Sequence, residues 1–118
     1  MAAFSKTAMF VVRLLVSVCL LLAGGNASNA GDVKAGRVRA MMCQACHGLD
    51  GLSKTPDAPN IAGQIEPYLV TQLQEFKSGL RKNDAMSVVA PSLSDKDIDD
   101  LAAYFAAIEI SVGKLPGQ

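Results

Sequence analysis

The chain has 118 residues, of which half are hydrophobic, and its eleven basic and eleven acidic side chains leave no net charge at pH 7. A chain of this length corresponds to a single domain. The balanced charge, with no basic stripe, argues against nucleic acid as a partner, because nucleic-acid binding depends on clustered positive charge.

The amino terminus has the layout of a secretory signal peptide. Two basic residues precede an apolar run over residues 14–23, and small residues at Ser28 and Ala30 match the positions that a signal peptidase reads. The run has about half of the roughly 20 residues that a membrane span needs. We therefore expect residues 1–30 to be removed after Ala30, leaving a domain of residues 31–118 with no stable membrane insertion.

The first predicted helix of this domain begins at Asp32, a favourable N-cap residue, and runs to about Met42. Gly36 lies inside it and costs about 1 kcal/mol of helix stability relative to alanine. The helix leads directly into the motif that determines the interpretation of the whole sequence.

Cys43, Cys46 and His47 form the pattern C-x-x-C-H, the attachment signal for c-type haem. Two thiols three residues apart on a helical turn can form thioethers with the two vinyl groups of one porphyrin, and the histidine can then coordinate the iron. A thioredoxin-like dithiol would need a βαβ pattern, and a zinc site would need four ligands. The only other cysteine is Cys19, inside the predicted signal peptide, and the chain has no second histidine. The motif predicts one covalently attached haem c per chain.

With these residues the chain resembles the class I cytochromes c, and among them the small bacterial monohaem cytochromes. The resemblance covers nearly all of residues 31–118. It implies an all-α, class I cytochrome c fold with three main helices and two long loops around one covalently bound haem. It also implies a periplasmic location, because c-type haem is attached outside the cytoplasm. A domain this small has a marginal core, so we expect the porphyrin to contribute to the fold as well.

Glycine and proline residues predict a long loop over residues 48–66. A loop of this length in a compact domain is usually functional, and wrapping the edge of a haem would be such a function. The resemblance implies that the carbonyl of Pro59 accepts a hydrogen bond from His47, which would orient the imidazole and raise its basicity toward iron. The alternative for Pro59 is an ordinary proline turn.

The second main helix is predicted over residues 67–79, with proline in its first turn and glycine at its end. Its apolar face has four members at steps of four, three and four: Leu69, Leu73, Phe76 and Leu80. Tyr68 lies near this face. Its hydroxyl could reach a haem propionate, and the alternative is a plain core tyrosine.

The second long loop is predicted over residues 81–92 and contains Met86. A thioether is a soft ligand that suits ferrous iron, and its flexible side chain suits delivery from a loop. Met41 and Met42 directly precede the attachment motif, and the two remaining methionines lie in the signal peptide. Because His47 is the only histidine, we expect Met86 to be the sixth iron ligand; filling the core is the alternative.

Ser94 is the predicted start of the last helix, which extends to about Glu109 with a clear apolar face. Ser94 and Asp97 have the spacing of a capping box, with aspartate in place of the usual glutamate. Four aspartates crowd its first turns: Asp95, Asp97, Asp99 and Asp100. Stabilisation of the helix end is the favoured interpretation of this cluster, and a docking patch is the alternative.

The family resemblance also gives Gly36 a role, since a small residue there lets the first helix cross the last one closely. The side chain that meets it would be Tyr104 or Phe105. The alternative is that Gly36 is merely tolerated on a solvent-facing side of the helix.

An iron with both axial positions filled by His47 and Met86 has no open site for a substrate, so the chain is predicted to transfer electrons and not to be an enzyme. It would carry one electron at a time between periplasmic or membrane-bound redox proteins, through a small interface at the haem edge. Four basic residues are candidates for the rim of that interface, or are ordinary surface charges: Lys54, Lys77, Arg81 and Lys82.

Two other functions remain open. The chain could be the electron-transfer subunit of a periplasmic oxidoreductase, such as a sulfide-oxidising flavoprotein. It could also be a ligand-binding or sensor haem protein with an open distal site. The latter would require Met86 to be absent from the iron or easily displaced, and the sequence offers no distal histidine for acid–base chemistry.

Overall fold

The computed structural model describes residues 30–117. Within them the chain forms five α-helices and two 3₁₀ turns and no strand, which confirms the predicted all-α class. The helices are α1 Val33–Arg39, α2 Gln44–His47, α3 Glu66–Ser78, α4 Met86–Val89 and α5 Asp95–Ala106, and the 3₁₀ turns are Ala40–Met42 and Ala90–Ser92. All of the predicted signal peptide except its last residue lies outside the described residues, as does Cys19.

None of the helices in this part of the chain is long and apolar enough to cross a bilayer. The three longest, α1, α3 and α5, are the three main helices that the sequence predicts, and both α1 and α3 pack against α5. The buried core lies between them and is small: Ala40, Leu69, Leu93, Ile98, Leu101, Ala102 and Phe105.

Helix α1 begins where the sequence predicts. The Asp32 carboxylate accepts hydrogen bonds from the amides of Lys34 and Ala35, at 2.7 and 3.1 Å. These bonds lower the pKa of Asp32, because they stabilise its charged form. The 3₁₀ turn that follows carries the helical path on to Met42.

The crossing of α1 and α5 depends on Gly36, which is buried. A Cβ atom at this position would overlap the carbonyl oxygen of Asp100 and would lie 2.8 Å from the Cβ of Tyr104. Gly36 is therefore a close-packing residue, and the side chain that meets it is that of Tyr104. Phe105 instead points into the core, where only 3% of it is exposed.

Asp100 is the buried charge of this helix pair, with 5% of its surface exposed. Its carboxylate accepts a hydrogen bond of 2.7 Å from the amide of Asp32 and pairs with the ammonium of Lys96 at 2.9 Å. The bond to Asp100 raises the pKa of Lys96. Asp100 thus ties the start of α1 to α5, a role that its place among four aspartates does not reveal.

The apolar face of α3 agrees with the prediction at Leu69 and Phe76, which are buried, but not at Leu80, which is 85% exposed. The helix ends at Ser78, and Gly79 adopts a left-handed conformation with φ of 80°. This turn takes Leu80 out of the helical register. The apolar periodicity of the sequence thus continues past Ser78, the last residue of the helix.

The predicted loop over residues 81–92 contains helical structure that the sequence pattern does not indicate. Asn83 accepts hydrogen bonds from the amides of Ala85 and Met86, both at 3.0 Å, and these begin the one-turn helix α4. A 3₁₀ turn continues it and places Ala90 and Leu93 in the core. Val88 and Val89 of α4 are β-branched and have low helix propensity, so the sequence does not predict a helix here.

The capping box at the start of α5 is confirmed. The hydroxyl of Ser94 accepts a hydrogen bond from the amide of Asp97, and the Asp97 carboxylate accepts one of 2.8 Å from the amide of Ser94. The Ser94 hydroxyl also donates to the Asp97 carboxylate at 2.7 Å, and this bond together with the one from the Ser94 amide lowers the pKa of Asp97. Arg39 also pairs with Asp97 at 3.1 Å and Lys77 with Asp95 at 2.7 Å, so three of the four aspartates, counting Asp100, are paired within the domain.

We expect Ser94→Ala to lower the free energy of unfolding by about 1 kcal/mol, because the amide of Asp97 loses its acceptor and the Asp97 carboxylate loses the hydroxyl that donates to it. The pKa of Asp97 is lowered only in the folded state. The ionised Asp97 carboxylate therefore contributes fully to the free energy of unfolding above the ordinary carboxyl pKa of about 3.9. This contribution is lost as the pH falls through the lower pKa of Asp97 in the folded state. Urea titrations at pH 7 and near pH 2 should show the difference from wild type shrinking in acid.

The control is Ser111→Ala, in the exposed tail, which should change neither curve. A Ser94→Ala deficit of equal size at both pH values would show that Asp97 does not depend on the capping box.

Candidate functional site

The haem-attachment motif forms one helical turn. The amides of Cys46 and His47 both donate to the carbonyl of Cys43, at 3.3 and 3.0 Å. In this geometry residues three apart lie on the same side of the turn, so Cys43 and Cys46 present their thiols together. Neither forms a disulfide with another residue that the structure describes.

The two thiols differ in environment. Cys43 packs against the core cluster, and Cys46 is exposed. Burial raises the pKa of the Cys43 thiol, and the positive charge of Arg39 offsets this only in part. Cys43 therefore lies in a more apolar environment than Cys46, at the edge of the core.

His47 has a defined tautomer. Its Nδ1 lies 2.9 Å from the carbonyl oxygen of Pro59. A carbonyl can only accept, so Nδ1 carries a proton, and in the neutral imidazole the lone pair is therefore on Nε2. This is the neutral form in which an imidazole binds a metal, with its second nitrogen held by a backbone acceptor.

The loop that carries Pro59 is closed by its own hydrogen bonds. The carbonyl of Gly51 accepts from the amides of Ile61 and Ala62, at 2.8 and 3.1 Å. The side chain of Asn60 accepts from the amide of Ser53 at 2.7 Å. The segment just after Pro59 is thereby fixed to the segment just after the attachment motif.

Helix α5 also contacts this loop, through a residue for which the sequence predicts only a role in helix packing. The hydroxyl of Tyr104 donates a 2.7 Å hydrogen bond to the carbonyl of Leu49, two residues after His47. The amide of Gly63 donates to the carbonyl of Phe105 at 2.9 Å. No local pattern could have revealed a contact between Tyr104 and a backbone atom 55 positions away.

Met86 is the first residue of α4, and its side chain is half-buried. Asn83 sets its backbone through the 3.0 Å hydrogen bond to the amide of Met86. Asn83 is a positioning residue that the sequence analysis did not single out, although an asparagine just before a short helix is a recognisable capping signal.

Tyr68 lies in the first turn of α3 and is 47% exposed. Its hydroxyl makes no hydrogen bond with any other residue between positions 30 and 117. It is a surface tyrosine here, and the alternative of a plain core tyrosine does not hold.

The apolar surroundings of Cys43 fit a large flat apolar group. Partly buried side chains from several elements pack around the small core beside it: Leu49, Ile61, Val70, Leu73 and Ile108. Two further apolar side chains of the segment between α2 and α3 are exposed to solvent: 46% of the surface of Leu52 and 68% of that of Ile65. Two thiols on one turn, an imidazole with Nε2 available and half-exposed aliphatic side chains match the chemistry of a covalently held haem.

Most of the basic residues proposed for the rim have partners within the domain. Lys54 pairs with Asp50 at 2.9 Å, and Lys77 pairs with Asp95. The guanidinium of Arg81 lies 4.7 Å from the centre of the Phe76 ring. Lys82 lines a surface cleft at the end of α3 together with Asp84.

Residues 33–108 match the family model for cytochrome c. Cytochrome c4 of Pseudomonas aeruginosa is 47% identical over 102 residues, which cover 86% of this chain and 51% of that relative. The chain thus spans about half the length of the curated cytochromes c4 that it matches.

Two solved structures have the same fold. Reduced recombinant cytochrome c4 from Pseudomonas stutzeri superposes with a TM-score of 0.65 at 44% identity, covering 71% of this chain and 49% of that one. Thiosulfate dehydrogenase from Marichromatium purpuratum superposes with a TM-score of 0.62 at 33% identity, covering 71% of this chain and 21% of that one. The extent of the family match and these fold similarities establish that the chain belongs to the cytochrome c family, whose domain implies a covalently bound haem c.

Proposed function

We propose that this protein is a one-electron carrier with a single haem c, attached through Cys43 and Cys46 and ligated by His47 and Met86. The bound haem supplies an iron that alternates between the ferrous and ferric states. The observation that carries the proposal is the hydrogen bond from His47 Nδ1 to the Pro59 carbonyl, at 2.9 Å, because it leaves Nε2 as a ready metal ligand.

The chain's own residues supply the rest of the machinery. The turn from Cys43 to His47 places two thiols and one imidazole within a single helical turn. Met86, whose backbone Asn83 fixes, provides the thioether, and no second histidine exists in the chain to compete with it. With His47 and Met86 both bound to the iron, the site would exchange electrons and would offer no position for a substrate. Tyr68, with its exposed hydroxyl, is available to a haem propionate.

We place this carrier in the periplasm, after removal of residues 1–30. Support comes from Gly31, the first residue after the proposed cut, which already packs against α5: a Cβ there would lie 2.9 Å from that of Ala103. The amino-terminal sequence of the protein isolated from periplasm should therefore begin at Gly31, and the mature domain should show no stable membrane insertion.

The partners we propose are redox proteins, a donor and an acceptor, that dock at the haem edge. A second candidate function is that of electron-transfer subunit in a periplasmic oxidoreductase. The similarity in fold to part of a thiosulfate dehydrogenase favours it. Gel filtration of periplasm separates the two: a carrier elutes at the mass of the single domain, and a subunit elutes with its enzyme.

The carrier function is tested on the mature, haem-loaded protein by voltammetry and by exposure of the ferrous form to carbon monoxide. We expect a single reversible one-electron wave, a low-spin spectrum and no rapid uptake of carbon monoxide. A high-spin protein that binds carbon monoxide at once would have an open iron, and a ligand-binding or sensor function would replace the carrier.

A further inference from the structure

The orientation of His47 depends on an exposed loop. Its hydrogen-bond acceptor is the carbonyl of Pro59, and no helix or strand lies between the end of α2 and the start of α3 at Glu66. A backbone carbonyl on such a segment holds its position only if other contacts fix the segment.

Two neighbouring residues of α5 hold both ends of this loop. At its start, the hydroxyl of Tyr104 donates to the carbonyl of Leu49 at 2.7 Å. At its end, the amide of Gly63 donates to the carbonyl of Phe105 at 2.9 Å. The Tyr104 bond is partly buried, where competition from water is reduced and a hydrogen bond is stronger than at the surface.

Within the loop, hydrogen bonds connect these ends to the imidazole. Leu49 lies two residues after His47 and two residues before Gly51. The carbonyl of Gly51 accepts from the amide of Ile61, two residues after Pro59, at 2.8 Å. Tyr104 therefore constrains the donor side of the His47–Pro59 bond through Leu49 and its acceptor side through Gly51.

We propose that Tyr104 is a positioning residue for the iron ligand His47: its hydroxyl fixes the loop geometry that holds the His47–Pro59 hydrogen bond. The proposal rests on the proposed function only in taking His47 as the proximal ligand. A well-held bond to Nδ1 makes the imidazole a stronger donor and favours ferric iron. Loss of the hydroxyl weakens that bond and moves the reduction potential upward.

The test compares Tyr104→Phe with wild type in the haem-loaded protein. Phenylalanine keeps the ring, which lies 5.1 Å from that of Phe105, and the Cβ that meets Gly36, and it removes only the hydroxyl. We expect hydrogen exchange at His47 Nδ1, followed by NMR, to become about fivefold faster, as the loss of one ordinary net hydrogen bond implies. The reduction potential should shift upward in the same variant.

Thr71→Val is the matched control. Its hydroxyl also donates to a backbone carbonyl, that of Pro67 at 2.9 Å, but inside α3 and on the surface. It should change neither the Nδ1 exchange rate nor the potential. A fluorinated tyrosine at position 104, a stronger donor, should move both quantities in the opposite direction from Tyr104→Phe.

Unchanged Nδ1 exchange and potential in Tyr104→Phe would overturn the proposal. So would faster exchange that is equal at His47 and at the amides of α1 and α5, because that pattern reports global loss of stability. Carbon monoxide uptake by wild type would defeat the carrier function but not this inference, which concerns only the His47 side.

Discussion

Replacement of Met86 by alanine is expected to turn a low-spin haem protein into one that binds carbon monoxide readily. Alanine has no donor atom, so the thioether that we assign to the iron is lost. Methionine ligation raises the potential of haem iron. Its removal should lower the potential on the order of 0.1–0.3 V, within the roughly 0.8 V range that axial ligands control. Absorption spectra of both oxidation states, in which the weak sulfur-to-iron band should vanish, and potentiometry measure the effect.

Met42→Ala is the control for this change. Met42 directly precedes the attachment motif and is 42% exposed, so its loss should leave the low-spin spectrum and the potential in place. The assignment of Met86 is wrong if Met86→Ala remains low-spin, because another group would then occupy the sixth position.

The second large effect is expected for Gly36→Ala. The added methyl would overlap the carbonyl oxygen of Asp100, which belongs to helix backbone and cannot rotate away. Helices α1 and α5 must then separate, and the Asp32–Asp100 hydrogen bond is lost with them. Overpacking of this kind costs about 3 kcal/mol. For a domain of this size that lowers Tm by about 12–24 °C, which thermal unfolding of the haem-loaded protein followed by circular dichroism would show.

Gly113→Ala provides the comparison. A Cβ at Gly113 has nothing within 4 Å, so this variant should melt with wild type. Equal Tm values for Gly36→Ala and wild type would mean that α1 does not need close contact with α5.

Contacts between near neighbours in sequence could be predicted, because local rules govern them. The Asp32 cap and the Ser94–Asp97 capping box each connect residues only two or three positions apart. The attachment motif is equally local, so Cys43 and His47 could be singled out from spacing alone. The motif identifies these residues without any knowledge of the fold.

Contacts across the chain could not be predicted in the same way. Asp100 reads as one of several helix-end aspartates, yet it binds an amide 68 positions away. The link from Tyr104 to Leu49 has no signature on either side. Leu80 was wrongly predicted to lie on the apolar face of α3. Periodicity alone does not show that the helix ends before it, at the left-handed Gly79. The Pro59 acceptor was expected only through family resemblance.

The contact between Asp32 and Asp100 also affects when the protein can fold. Closing a loop of 68 residues costs about 3.7 kcal/mol of chain entropy beyond a constant, and α1 has no packing partner until α5 has been synthesised. The native packing of α1 against α5 therefore cannot form before α5 has left the ribosome. For a protein that we propose to be exported, this order leaves α1 without its native partner while the amino-terminal segment is being recognised for transport.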